Sequence, residues 1–560
     1  MRAILLETPQ IVGPALHPSL PVLCVVRWKI VLVCQALFVL TYALAVPLVM
    51  YAIGPDGTAY IQQAKFFALG DLWEAASGYW SPLLSLLSAP LIVAGVDPVI
   101  AFRVAQGVAG VGYIGAAIWG TTQIFQLTAR GQWIVGLIAA ITSAAWSCGL
   151  TTPDVAIALF LLLYFPFSAS DELLTDWRKA AAAGVFGALA FLAKAYAFPF
   201  FLAHFTFCAA LRYLADRKEV SLGRALLGWG VGLLAFAIVC GPWIGILSAK
   251  YGRFTFSNSG AFNHYQVGIE DFDWHVLYRL QEPAPDRINV WETPEKLQFE
   301  DWSPIASKEN ALRQIRHFKS NARKIVEGFW VFEVLGLFPA GLFVVWVASL
   351  AHGPKRPRFL VGWMILTLGI YAGGFMPVAF EIRYMWAVLM PLCLAQLWAF
   401  VEELVAQRNE YEFEASAWRR YVPVLFAVYL IFSCSLRPAF YLARDAFSDR
   451  ASGRVQKQLG SELKAAGIAG PVAMIGDRWQ DGLLVSYYAD RPYLGKTLET
   501  NWDAAEQEFD QFGVQTLIVD SRDPLAEQIG RHGEWELVAT SPVMDYELRT
   551  YRRTSPQSAD

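Results

Sequence analysis

Residues 29–57, KIVLVCQALFVLTYALAVPLVMYAIGPDG, decide how this chain is read: an apolar run from Lys29 to Ile53 ends on the tripeptide Pro55-Asp56-Gly57. About 20 apolar residues are enough to cross a hydrocarbon core of roughly 30 Å, so the run reads as a membrane span and Asp56 stands where it leaves the bilayer. Such a carboxylate is either a turn residue, a common use of Pro-Asp-Gly, or part of a reaction centre at the membrane surface. Ala43-Leu44-Ala45 imitates a signal-peptidase site, but the run continues through Leu48, Val49 and Met50, which favours an uncleaved anchor.

Working outward, further apolar windows lie near 99–124, 132–150, 154–169, 179–194, 197–213, 225–248, 329–351, 359–380, 384–402 and 421–440, about eleven spans in all. Composition agrees: the chain is 56% hydrophobic, 14% aromatic and 17% charged, with mean hydropathy +0.38, far from a soluble globular protein. The net charge of -3 selects no partner, and nothing calls for a nucleic acid. The placement of Lys and Arg says more, because short cytoplasmic loops retain positive charge. Arg27 and Lys29, then Arg130, Arg178 and Lys179, Arg212 to Arg224, Lys355 to Arg358, and Arg419 with Arg420 fall on alternate loops. The chain therefore divides into a cytoplasmic tail (1–28), a helical membrane core (29–440) with external loops at 54–98 and 249–328, and an external module (441–560).

Within the first external loop, Thr58 to Leu69 reads as a helix lying in the interface. If Asp56 caps it, Tyr60 and Gln63 rise on the side of the carboxylate. A second short segment starts at Trp80-Ser81-Pro82-Leu83. The loop at 249–328 is rich in aromatics and reads as an element covering a substrate rather than a linker. In the last 110 or so residues, 472–475, 516–519 and 546–551 look like strands, while 481–488 and 523–530 look helical, a small α/β module. The seven cysteines lie in or beside apolar spans, so no disulfide holds the external pieces.

The pattern Asp56-Gly57-x-x-Tyr60-x-x-x-Ala64, Gly70-Asp71 and Ser81-Pro82-Leu83 closely resembles the first external loop of the GT-C superfamily of membrane glycosyltransferases, in the branch of protein O-mannosyltransferases and the lipid A aminoarabinose transferase. Thr151-Thr152-Pro153-Asp154 looks like that family's second acidic position, and Leu192-Ala193-Lys194-x-Tyr196 and Glu381-x-Arg383-Tyr384 look like its later motifs. Where the family often has Asp-Glu, this chain has Asp56-Gly57.

The resemblance implies a GT-C-like polytopic helical enzyme, and the lack of an endoplasmic-reticulum retrieval signal leans towards a bacterial plasma membrane. The enzyme would move a hexose or pentose, with inversion, from a polyprenyl-phosphate carrier to a protein, lipid or glycan acceptor on the external face, among membrane lipids. Asp56 and Asp154 are the implied catalytic carboxylates. Arg383, Lys194 and Arg253 would hold the donor phosphate, and Tyr60, His264 and Glu381 would contact substrate. No cofactor is certain, and a divalent metal stays open although no ligand cluster stands out. A hydroxyl acceptor must lose a proton as it attacks, which a carboxylate can take, and fixed cations stabilise the departing phosphate. Each residue also has a plainer use: Asp154 as a helix-start acid, Lys194 as a snorkelling end residue, Arg383 as a partner of Glu381. A lipid or glycan transporter or flippase, or a noncatalytic subunit of an envelope-polymer assembly, are the alternative functions. Against a transporter, no internal repeat is visible and the polar candidates share one interface.

Overall fold

The computed structural model describes residues 25–269, 278–297, 302–330, 341, 355–378, 380–409, 417–447, 453–468, 470–529, 533–543 and 545–554. The membrane core is helical. It runs α1 (Trp28–Val49), α2 (Pro55–Ala68), α3 (Leu72–Ala75), α4 (Leu83–Val93), α5 (Pro98–Phe125), α6 (Ala129–Gly149), α7 (Asp154–Ser168), α8 (Trp177–Ala193), α9 (Ala197–Asp216), α10 (Leu222–Tyr251), α11 (Ser259–Gly268), α12 (Lys308–Trp330), α13 (Lys355–Gly373), α14 (Arg383–Asn409) and α15 (Ala417–Ala446). Helix starts follow local chemistry. Pro55 and Pro98 occupy first-turn positions where a missing N–H costs nothing, and Asp97 caps α5 by accepting from the N–H groups of Val99 and Ile100.

Seven helices among the described residues are long and apolar enough to cross a bilayer: α1, α5, α6, α9, α10, and the stretches Arg383–Glu402 and Pro423–Asp445. The expected segments near 154–169, 179–194 and 359–380 are also helical but shorter, as α7, α8 and the end of α13. The segment near 329–351 lies largely outside the described residues. Among the described residues, six cysteines are buried and outside any disulfide, the way thiols serve as small apolar groups.

The first loop departs from expectation in one respect. Gly54, not Asp56, occupies the N-cap of α2, and Asp56 sits in the first turn with its carboxylate turned away from the helix's own amides. Nor does α2 lie bare in the interface, because Thr58, Ala59, Tyr60, Ile61, Gln63 and Ala64 are buried. Gln63 donates to the carbonyls of Ala75 and Trp80, which folds the rest of the loop over it.

The carboxy-terminal module contains α16 (Arg454–Ala465), β1 (Val472–Ile475), α17 (Trp479–Ala489), β2 (Tyr493–Lys496), α18 (Trp502–Gln511), β3 (Thr516–Asp520), α19 (Ala526–Ile529), β4 (Trp535–Val543) and β5 (Tyr546–Arg553). The sheet order is β2-β1-β3-β5-β4, with β1 parallel to both neighbours and β5 antiparallel to both of its own. The open edge of β2 is covered by the long loop: the Gln281 N–H donates to the Leu494 carbonyl (2.7 Å) and the Tyr493 N–H to that of Ile288 (2.6 Å). Gly495 permits this approach, having φ +122° and space that a Cβ would fill 2.4 Å from the Arg279 carbonyl oxygen. The module also rests on the core, with the Tyr488 hydroxyl donating to the Tyr51 carbonyl and the Lys65 ammonium over the Tyr487 ring.

Candidate active site

Two turns meet at the end of the core that faces the module. One follows α1 and carries Asp56; the other follows α6 and carries Thr151 to Asp154. A single buried side chain ties both helix ends: Arg103 on α5, 2% exposed, donates from Nη2 to the carbonyls of Val49 and Ala52 and from Nη1 to those of Ser147 and Cys148. Carbonyls at helix C-termini carry partial negative charge, so a guanidinium suits them in place of a carboxylate. The Gly54 N–H then donates to the Thr151 hydroxyl (3.1 Å), joining the turns directly.

Gly57 explains the departure from the Asp-Glu pattern. A Cβ there would lie 2.2 Å from Thr151 Oγ1, so only glycine lets α2 pack against the second turn. Gly57→Glu is expected to push the turns apart and to lower activity at least tenfold. Pairing it with Thr151→Gly should recover part of that loss, and no recovery in a matched assay would refute the steric explanation.

The Asp56 carboxylate accepts from two donors. Trp291 Nε1 lies 2.9 Å from Oδ1, and Arg383 Nη2 lies 3.3 Å from Oδ2. Arg383 is oriented from its other side by Glu381, whose Oε2 is 2.7 Å from Nε. Asp154 takes the Lys194 ammonium at 2.6 Å and the Thr152 hydroxyl at 2.5 Å. Both cations border the Tyr384 ring, Lys194 Nζ at 4.0 Å and Arg383 Cζ at 5.5 Å from its centroid. Tyr60 is buried beneath, edge-on to Trp80.

Most of these groups border a half-open cavity of about 1550 Å³ between core, long loop and module. Asp56, Tyr60, Lys194, Glu381, Arg383 and Trp291 line it. The other expected site residues are placed elsewhere. Asp154, 6% exposed, lies behind Lys194 as its buried counter-ion and is absent from the described wall. Arg253 is turned to Asn258 (2.9 Å), and His264 to Gln314 (3.0 Å) and the Trp302 ring; neither reaches the wall, because their local partners are nearer. Both oxygens of Asp56 already accept from N–H donors, and among the described residues no cluster of three His, Cys, Asp or Glu is arranged for a cation.

Trp291 escaped the sequence reading, since one aromatic in an aromatic-rich loop carries no signal. It is held by its own N–H on Asn289 Oδ1 and by Trp80 Nε1 on its carbonyl. Beside it, Glu292 is buried: Oε1 accepts from the N–H groups of Ile288 and Asn289, Oε2 has no partner, and burial pushes the carboxyl up to about 7. A carboxyl raised above its ordinary 4.5 contributes stability that is full below that value, falls as pH rises towards about 7, and is gone above it. Glu292→Gln keeps the acceptor without the charge. The difference in thermal midpoint, variant minus wild type, should therefore grow between pH 4.5 and 7.5; a constant difference would contradict the assignment.

This arrangement of spans, structured first loop and small terminal sheet is a fold known from other membrane proteins. Two solved structures share it. The oligosaccharyltransferase AglB from Archaeoglobus fulgidus, in complex with an inhibitory peptide and a dolichol-phosphate, aligns with TM-score 0.52 and 11% identity over 88% of this chain and 69% of its own. ArnT from Cupriavidus metallidurans, bound to undecaprenyl phosphate, aligns with TM-score 0.53 and 14% identity over 94% of this chain and 99% of its own. No protein-family model and no curated protein matches the sequence.

Proposed function

We propose that the protein transfers a sugar from a polyprenyl-phosphate carrier to an acceptor at the external membrane surface. The observation that carries this reading is the Asp56 carboxylate, held at the cavity wall between an indole N–H and a guanidinium, on a fold whose neighbours were solved with polyprenyl-type phosphates. The acceptor hydroxyl gives its proton to Asp56 as its oxygen attacks the anomeric carbon, and the bond from that carbon to the phosphate oxygen breaks. A single displacement of this kind inverts the anomeric centre. Arg383 and Lys194 stabilise the charge collecting on the phosphate, Glu381 and Asp154 position these two cations, and Tyr60 shapes the cavity floor.

The test is turnover. The purified chain in lipid nanodiscs, given a panel of radiolabelled polyprenyl-phosphate sugars and a membrane extract, should move label to the extract and release polyprenyl phosphate. If no donor is consumed while the protein carries labelled lipid across liposomes, the transporter reading replaces this one.

A further inference from the structure

The cavity has a second charged region, on α12. Arg313, Arg316, His317 and Lys324 recur at helical spacing and all line it. The helix is fixed in that orientation: Gln314 Nε2 donates to the Pro377 carbonyl (2.9 Å) and Asn321 Nδ2 to that of Val378 (2.8 Å).

The two cationic regions of the wall differ in kind. Arg383 and Lys194 are each paired with carboxylates, whereas Arg316 and Lys324 pair with none among the described residues. The only carboxylates on the described wall are Asp56 and Glu381, both committed to Arg383. Among the described residues, Arg316 and Lys324 are therefore the wall cations not paired with a carboxylate. An independent observation marks the same place. Gln266 on α11, only 8% exposed, lines the cavity with its Nε2 unpartnered, and Arg313 donates to the carbonyl of Gly268 two residues on. A buried amide donor left unmade costs free energy unless a ligand accepts from it.

We propose that Gln266 and Arg316, at the α11 end of this row, form an oxyanion subsite that takes a phosphate or carboxylate borne by the acceptor. The word acceptor rests on the transfer reading above; the subsite itself does not. Its distance from the reacting bond separates it from the donor phosphate. α12 meets the start of α14 at Gly328, packed against Ile382 and Met385 beside Arg383, and Arg316 lies twelve residues earlier, about 18 Å along the axis. A phosphate whose bond to the sugar breaks at Asp56 stands near Arg383, so an anion at Arg316 belongs to the other substrate.

Equilibrium binding tests this without any donor. The full chain in phosphatidylcholine nanodiscs is titrated with glucose, glucose 6-phosphate and, as the carrier probe, farnesyl phosphate, reading tryptophan fluorescence from Trp291 and Trp479 on the wall. Glucose 6-phosphate should bind at least tenfold more tightly than glucose, and the Arg316→Ala variant should remove that advantage while leaving farnesyl phosphate binding intact. Arg316 is exposed, so the variant should fold; matched thermal midpoints confirm it. Equal binding of the two sugars, or an advantage that survives in the variant, overturns the subsite. Loss of farnesyl phosphate binding instead would assign the anion to the carrier and overturn the acceptor assignment. A chain that binds the phosphosugar yet turns over no donor would sink only the transfer reading.

Discussion

Asp56→Asn is expected to lower the turnover of sugar transfer by about two to four orders of magnitude, the usual contribution of a positioned general base. Asparagine has the same shape and its carbonyl oxygen still accepts from Trp291, so donor binding should change little and the loss should appear in kcat rather than KM. The carboxylate is a quarter exposed, so its pairing with Arg383 contributes little to folding, and the variant should purify normally. Asp56→Glu keeps a base but moves it by one methylene, and should fall between wild type and Asn. A turnover within threefold of wild type for Asp56→Asn, in protein of unchanged thermal midpoint, would remove Asp56 from the reaction.

Arg103→Met should be the most damaging substitution for folding. Methionine fills much of the volume, yet it strands the carbonyls of Ala52, Ser147 and Cys148 near the ends of α1 and α6, while that of Val49 keeps the Ala52 N–H. At about 1–3 kcal/mol for each unmet acceptor, the loss is about 3 kcal/mol or more, against a total stability that is usually only a few times larger. Burying a guanidinium is itself costly, and removing it returns part of that cost, but the carbonyls remain and the balance stays unfavourable. Arg103→Lys should recover only part, because an ammonium cannot span two pairs of acceptors as a planar fork does. A fluorescence-detected gel-filtration profile and thermal midpoint in detergent measure both; a midpoint within 2 °C of wild type for the Met variant would show that the carbonyls find other donors.

The contrast between these two residues shows where sequence reading reaches and where it stops. Asp56, Lys194, Glu381 and Arg383 were legible because their motifs occur in a recognisable order at the ends of apolar runs, and the structure gathers them around Tyr384. Arg103 passed unremarked because its partners are backbone carbonyls, which leave no trace in side-chain patterns. Trp291 meets Asp56 across a separation of 235 residues, which no local pattern encodes. The basic row of α12 was readable from its spacing, but aromatic content dominated the reading of that loop. In the module, the buried runs 472–475 and 516–519 matched β1 and β3, whereas β2 and β4 were missed. β4 alternates irregularly in burial and shifts register between Leu537 and Ala539, and β2 has only four residues.

The cavity wall draws on residues from Gly54 near the first span to Gly495 in the terminal module. During synthesis the Asp56 turn is complete early, but the wall facing it, from Trp479 to Gly495, is translated more than 400 residues later. A chain cut short before Trp479 therefore leaves Asp56 facing water instead of a walled cavity. The site exists only once the module has been added, so truncation within the module is expected to remove the cavity rather than trim it.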